Sequence, residues 1–205
     1  MIHEWVREAL QNEANALMST SEQVGEEYVK AVEMLQHCTG KVVVTGIGKS
    51  GHIGKKIAAS LSSTGTPAFF VHSAEAVHGD SGMIESKDVV ILLSNSGETA
   101  EVLNVLNIIR KIGSQCIAIT KNPESTLGRG SSAVLSYRYE READHLGLAP
   151  TTSALLQLAV GDALVVTLCK VKGFTKESFH LFHPGGSLGN QLSQAGDKAQ
   201  SEQGK

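Results

Sequence analysis

Lys41-Val-Val-Val-Thr-Gly-Ile-Gly-Lys-Ser-Gly51 decides the fold. Three consecutive valines form a β-branched run too short for a helix, and the glycines after them make a tight turn. Residues up to about 63 then return to helical spacing. The same order of strand, glycine turn and helix recurs at Val89-Val-Ile-Leu-Leu93, which runs into Ser94-Asn-Ser-Gly-Glu-Thr99 and a helix to about residue 112. Shorter strands are expected at 68–71, 115–119 and 133–136, a long helix over 152–171, and two amphipathic helices over 2–18 and 22–37. Five apolar strands alternating with helices predict an α/β fold, a doubly wound αβα sandwich on a parallel five-stranded sheet with a Rossmann- or flavodoxin-like layout. Ligands of such sheets sit at the carboxyl ends of the strands, where both glycine turns lie.

Composition narrows the function classes. The 205 residues are 41% hydrophobic and 19% charged, which predicts one globular domain and excludes global disorder. A net charge of −3 with only one Trp, three Tyr and five Phe supplies neither the basic footprint nor the stacking surface of a nucleic-acid binder. The apolar stretch 154–169 is interrupted by Gln157, Gly161 and Asp162, so it suits a buried helix better than a bilayer span, and no membrane partner is expected. Glu4 and Glu8 stand where a signal peptide needs a basic patch and an apolar core, and the cytoplasm is the expected location. Cys38, Cys116 and Cys169 have no CxxC spacing and read as buried thiols. Residues 193–205 are polar and aperiodic, which predicts a disordered tail after a single domain over 1–192.

Three chemistries compete for the glycine turns. Gly46-x-Gly48-x-x-Gly51 matches the dinucleotide fingerprint, but that site wants an acidic residue at the end of the next strand, and 68–71 is followed by His72-Ser-Ala. A Walker loop ending in Gly48-Lys49-Ser50 would need glycine at Val43. The third possibility uses both turns: Ser94, Ser96 and Thr99 surround Gly97 at a helix start, and Ser50 joins from the first turn, making a cradle for one phosphate. Helix capping alone accounts for one of those hydroxyls, not for the cluster.

Thr45-Gly-Ile-Gly-Lys-Ser-Gly-His52, Phe70-Val-His-Ser-Ala-Glu-Ala-Val-His-Gly-Asp80, Ser94-Asn-Ser-Gly-Glu-Thr-Ala-Glu101, Gly147-Leu-Ala-Pro-Thr-Thr152 and His183-Pro-Gly-Gly-Ser-Leu-Gly189 resemble the sugar isomerase (SIS) domain of D-arabinose 5-phosphate isomerases, over about residues 1–192. The resemblance implies interconversion of D-arabinose 5-phosphate and D-ribulose 5-phosphate through an enediol, with no cofactor required. It implies catalytic roles for Lys49, Glu101, Glu142 and His183, and substrate contacts at Ser50, Gly65, Thr66, His72, His78, Ser94, Ser96, Gly97 and Thr99. Within that set Glu142 is expected to be the base at C1 and C2, His183 or His78 to assist ring opening, Lys49 to stabilise oxyanion charge, and Glu101 to orient Lys49 or share the proton. It further implies His72 as a ligand of an inhibitory zinc, and a homotetramer with sites shared between subunits. Supply of the eight-carbon acid Kdo for lipopolysaccharide and a short form without the paired CBS module complete the expectation. A non-catalytic sugar-phosphate sensor and an isomerase of another phosphosugar are the alternatives.

Overall fold

The structure, a computed structural model, describes residues 1–184; the expected tail, with Gly185 and Gly186 of the last motif, lies outside the described residues. Five strands form one parallel sheet: β1 (Val42–Gly46), β2 (Ala68–His72), β3 (Val89–Leu93), β4 (Gln115–Thr120) and β5 (Ala133–Ser136), in the order β2-β1-β3-β4-β5. Every residue of β1 and β3 is buried, which is why both read as unbroken apolar runs. Side chains alternate between two cores. Val42, Val44, Ile91 and Leu93 face one, while Val43, Val90 and Leu92 face the other.

The first core is closed by α1 (Ile2–Ser21), α2 (Glu26–Gln36), α3 (Gly48–Ser63) and α7 (Thr152–Val171). The second is closed by α4 (Ser73–Ala76), α5 (Ala100–Ile112) and α6 (Thr126–Gly130). Helix α7 is long and apolar enough to cross a membrane by composition, with a mean hydropathy of 1.8. Here Leu156, Val160, Leu164 and Leu168 lie in the first core instead, in line with a buried helix. The free edge of β5 is covered by α2: Glu27 accepts the Val134 N–H at 2.9 Å, and the Tyr28 hydroxyl donates to the Ser136 carbonyl.

The five strands and the long helices lie where the sequence places them, with ends shifted by a few residues. Helix α2 starts at Glu26 rather than 22, and β1, β2 and β4 each run one residue further. Helices α4, α6 and α8 (Lys176–Phe182) and a 3-10 turn at Asp80–Met83 are not foreseen from the sequence, because four to seven residues are too few to display a period of 3.6.

Sheet order sets the position of the site. From β1 the chain crosses through α3 to β2 on one side, and β3 lies on the other side and leads into α5 on the opposite face. The two crossovers part above the carboxyl ends of β1 and β3, and a crevice opens there.

Candidate active site

Gly46 ends β1 so close to α3 that a Cβ would meet the Ser50 backbone at 3.2 Å, and Gly51 approaches the Gly46 carbonyl in return. This contact lets α3 start directly over the strand end, with Lys49 and Ser50 in its first turn. The second turn is held by Ser94, which is buried: its Oγ accepts the Gly97 N–H at 3.0 Å and pairs with Thr99 Oγ1 at 2.8 Å. Gly97 has a φ of +70°, and a Cβ there would overlap Ser125, so the turn requires glycine. Ser94 and Gly97 therefore shape the loop, while Ser50, Ser96 and Thr99 line the cleft.

The cleft holds about 330 Å³. Its walls are Ile47, Lys49 and Ser50 from the start of α3, Asn95, Ser96 and Thr99 from the loop before α5, and Pro150, Ser153, Ala154 and Gln157 from the start of α7. Three helix N-termini thus converge on it, and none has its N-cap side chain bonded to its own first turn. Unpaired N–H groups and the positive ends of the helix dipoles make such a place attractive to an anion. The Lys49 ammonium makes no hydrogen bond or ion pair among the described residues, and it adds a full positive charge. A larger hollow of about 450 Å³, between α2 and the segment before β3, lies at the opposite edge of the sheet and contains none of the expected site residues.

Glu142 distinguishes α7 from the other two helices. Buried beside the cleft, its Oε2 accepts the N–H groups of Thr151 and Ser153 at 2.9 and 3.0 Å and the Thr151 hydroxyl at 3.3 Å, while Oε1 accepts the Tyr139 hydroxyl at 3.1 Å. Burial alone would raise its pKa, but the hydrogen bonds from Ser153, Thr151 and Tyr139 outweigh it and hold the carboxyl below its ordinary value. The N-terminus of α7 is therefore neutralised from within, and those of α3 and α5 stay open to an anion. Lys121 reaches the same edge, with Nζ 3.8 Å from the centre of the Tyr139 ring.

The remaining expected residues divide between the two edges of the sheet. His72 pairs in register with Gly46 at the carboxyl edge, and its Nδ1 accepts the Ala74 N–H; His78 is exposed beyond α4. No group of three or more His, Cys, Asp or Glu side chains able to hold a metal forms among the described residues. Glu101 sits in the first turn of α5, outside the cleft wall, and the expected pairing with Lys49 does not form. Its neighbour Glu98 is committed to the Thr126 N–H at 2.8 Å.

Gly65, Thr66 and His183 lie at the other end of the strands, away from Lys49 of the same chain. Gly65 and Thr66 precede β2, where Phe174 fills the space beside Gly65 and Lys172 donates to Thr66. His183 follows α8, stacked on Phe179 with ring centroids 4.0 Å apart, and its Nδ1 pairs with the Phe179 carbonyl. The reason is the length of α7: 20 residues carry the chain about 30 Å from Glu142 to this edge.

Among the residues at the site that the sequence-based candidates lack are Asn95, Tyr137, Tyr139, Ser153 and Gln157. Asn95 lies inside the serine loop, and Gln157 is visible only as a lone amide in an apolar helix.

The SIS domain family model matches residues 34–167. Among curated relatives, arabinose 5-phosphate isomerase KdsD of Pseudomonas aeruginosa is 51% identical over 88% of this chain and 55% of its own length. That of Yersinia pestis is 49% identical over 91% of this chain and 57% of its own. The chain thus spans little more than half the length of these relatives. A protein of Escherichia coli CFT073, solved in complex with arabinose 5-phosphate, superposes with a TM-score of 0.86 at 44% identity, covering 89% of this chain and 97% of that one. A flavodoxin-like strand order, serine and glycine turns over the β1/β3 crevice and a family match across 34–167 agree with one another, and this chain belongs to the SIS domain family.

Proposed function

We propose that this chain is an aldose-ketose isomerase that interconverts D-arabinose 5-phosphate and D-ribulose 5-phosphate. One observation carries the reading: a single cleft joins two open helix N-termini, with Lys49, Ser50, Ser96 and Thr99, to an ionised carboxylate at the start of the third helix. Phosphate binds at α3 and α5, and the sugar extends toward α7. The likeness to KdsD relatives and to the arabinose 5-phosphate complex supports the choice of substrate.

In the mechanism, the open-chain aldose lies with C1 and C2 near Glu142. Glu142 takes the proton from C2 and the electron pair moves onto O1 to give the enediolate; the O2 hydroxyl proton then passes to O1, and return of the carbon-bound proton from Glu142 to C1, with the C2 carbonyl forming at O2, leaves the ketose. Lys49 supplies positive charge to the developing oxyanion, and the phosphate grip fixes the distance from C5 to the base. His183 assists ring opening from a neighbouring subunit, since its own cleft is a helix length away. The exposed apolar side chains of α1, Ile2, Trp5, Val6 and Leu10, are the surface through which chains associate into a tetramer. The enzyme acts in the cytoplasm, free of cofactor, and feeds Kdo and lipopolysaccharide synthesis.

Incubation with a panel of aldose phosphates, without added metal or nucleotide, tests it. Ketose formation from arabinose 5-phosphate is expected. Binding without turnover of any sugar means a sensor, and turnover of a hexose or heptose phosphate alone corrects the substrate.

A further inference from the structure

A chain of hydrogen bonds runs from Glu142 through the sheet edge to Gln157, and its direction is fixed by chemistry. Glu142, ionised, can only accept, so the Tyr139 hydroxyl donates to it. With its one proton used, Tyr139 accepts from Asn95, which must present its NH₂ at 2.9 Å. Asn95 Oδ1 then faces Tyr137, whose hydroxyl donates to it at 3.0 Å. Tyr137 in turn accepts, at 2.9 Å, and Gln157 must present its NH₂ there. The Gln157 carbonyl oxygen is left over. Gln157 is 1% exposed and lines the cleft, and this oxygen is buried with no hydrogen-bond partner among the described residues.

A buried carbonyl without a donor costs free energy unless a ligand supplies one. A phosphate dianion cannot, because both groups are acceptors; a hydroxyl can. We propose that Gln157 is a specificity-determining residue whose Oε1 accepts a hydrogen bond from one sugar hydroxyl of the ligand in this cleft, with its amide orientation set by the relay Tyr137, Asn95, Tyr139 and Glu142. This rests on the sugar-phosphate reading of the site. The same relay ties the proposed base to the group that reads the sugar, so a polyol lacking that hydroxyl leaves an unsatisfied acceptor at one end of the network.

Calorimetric titration of the full chain with inorganic phosphate, a pentitol 5-phosphate and its monodeoxy derivatives tests the assignment, in the parent, Gln157→Met and Tyr137→Phe. Methionine keeps the volume and helical fit while removing the acceptor. One deoxy compound is expected to bind the parent about tenfold more weakly than the pentitol phosphate. That gap should close to within about twofold in Gln157→Met and narrow in Tyr137→Phe, where the amide is free to turn, with phosphate affinity equal in all three proteins. If Gln157→Met weakens phosphate and every pentitol phosphate by one common factor, or if the gap survives, the assignment is wrong although the sugar-phosphate reading stands. A parent that binds phosphate but no pentitol phosphate overturns both. If Gln157→Met does not fold, Tyr137→Phe decides alone: an unchanged gap there refutes the oriented amide.

Discussion

Glu142 accepts two backbone N–H groups and two hydroxyls, so a glutamine in its place keeps the volume, cannot ionise, and turns an NH₂ toward donors. For Glu142→Gln, kcat is expected to fall by roughly 10²–10⁴ while phosphate affinity holds. Exchange of the C2 hydrogen with solvent deuterium should fall in proportion; exchange near the parent rate would remove Glu142 from the role of base. Gly97 tests the other half of the cleft. At a φ of +70°, with Ser125 against the Cβ position, Gly97→Ala combines backbone strain with overlap, and about 2–4 kcal/mol of stability should be lost in urea unfolding. Phosphate affinity should drop with it, because the N–H groups of the turn move. An alanine variant with the parent's unfolding midpoint and affinity would mean that the turn relaxes at no cost.

At the scale of elements, the strands were legible because β1 and β3 are buried on both faces and contain nothing but apolar residues and Thr45 before the turn. The serine loop before α5 was legible for a local reason too, since Ser94, Gly97 and Thr99 act within five residues of one another. The Asn95–Tyr139 and Tyr137–Gln157 contacts were not legible. The first joins residues 44 apart across the register of β3, β4 and β5, and the second joins residues 20 apart by packing α7 against the end of β5, neither of which a local pattern encodes. The separation of His183 from the cleft follows from the length and direction of α7. The opposite edge of the sheet supplies a test of its own. Buried Asp88 accepts the N–H groups of Lys41 and Glu85 and the Lys41 ammonium, tying together the starts of β1 and β3. Burial acts to raise its pKa, but those bonds prevail and lower it. An unfolded aspartate titrates near pH 4, so this stabilisation is complete above that value and is lost as pH falls through the lower folded pKa. Asp88→Asn should cost about 2–3 kcal/mol at neutral pH. The gap to the parent should shrink as the buffer is taken below about pH 4; a gap that stays constant there would assign the loss to packing rather than to charge.

For the whole molecule, the decisive feature is that one chain carries the two halves of the proposed site about 30 Å apart, at opposite ends of α7. A cleft with Lys49 and Glu142 stands at one end, and His183 with Gly65 and Thr66 at the other, while an exposed apolar helix face is available for association. If the site is completed by a neighbour, each working site draws Glu142 from one subunit and His183 from another. Glu142→Gln and His183→Ala chains, each inactive alone, should then complement when unfolded together and reassembled. With equal amounts and random assembly, half of the first positions and half of the second are intact, so about a quarter of the sites regain parent activity. Dilution below the dissociation range should abolish that recovered activity and the parent's activity in parallel, because both depend on the same contact. Sites formed within one chain predict the opposite: every molecule in the mixture carries one lesion, and activity stays at the level of the separate variants at any concentration. Recovery near a quarter, lost on dilution, therefore identifies the partner subunit as the source of His183, and its absence returns the search for the ring-opening group to His78 at the carboxyl edge of the same chain.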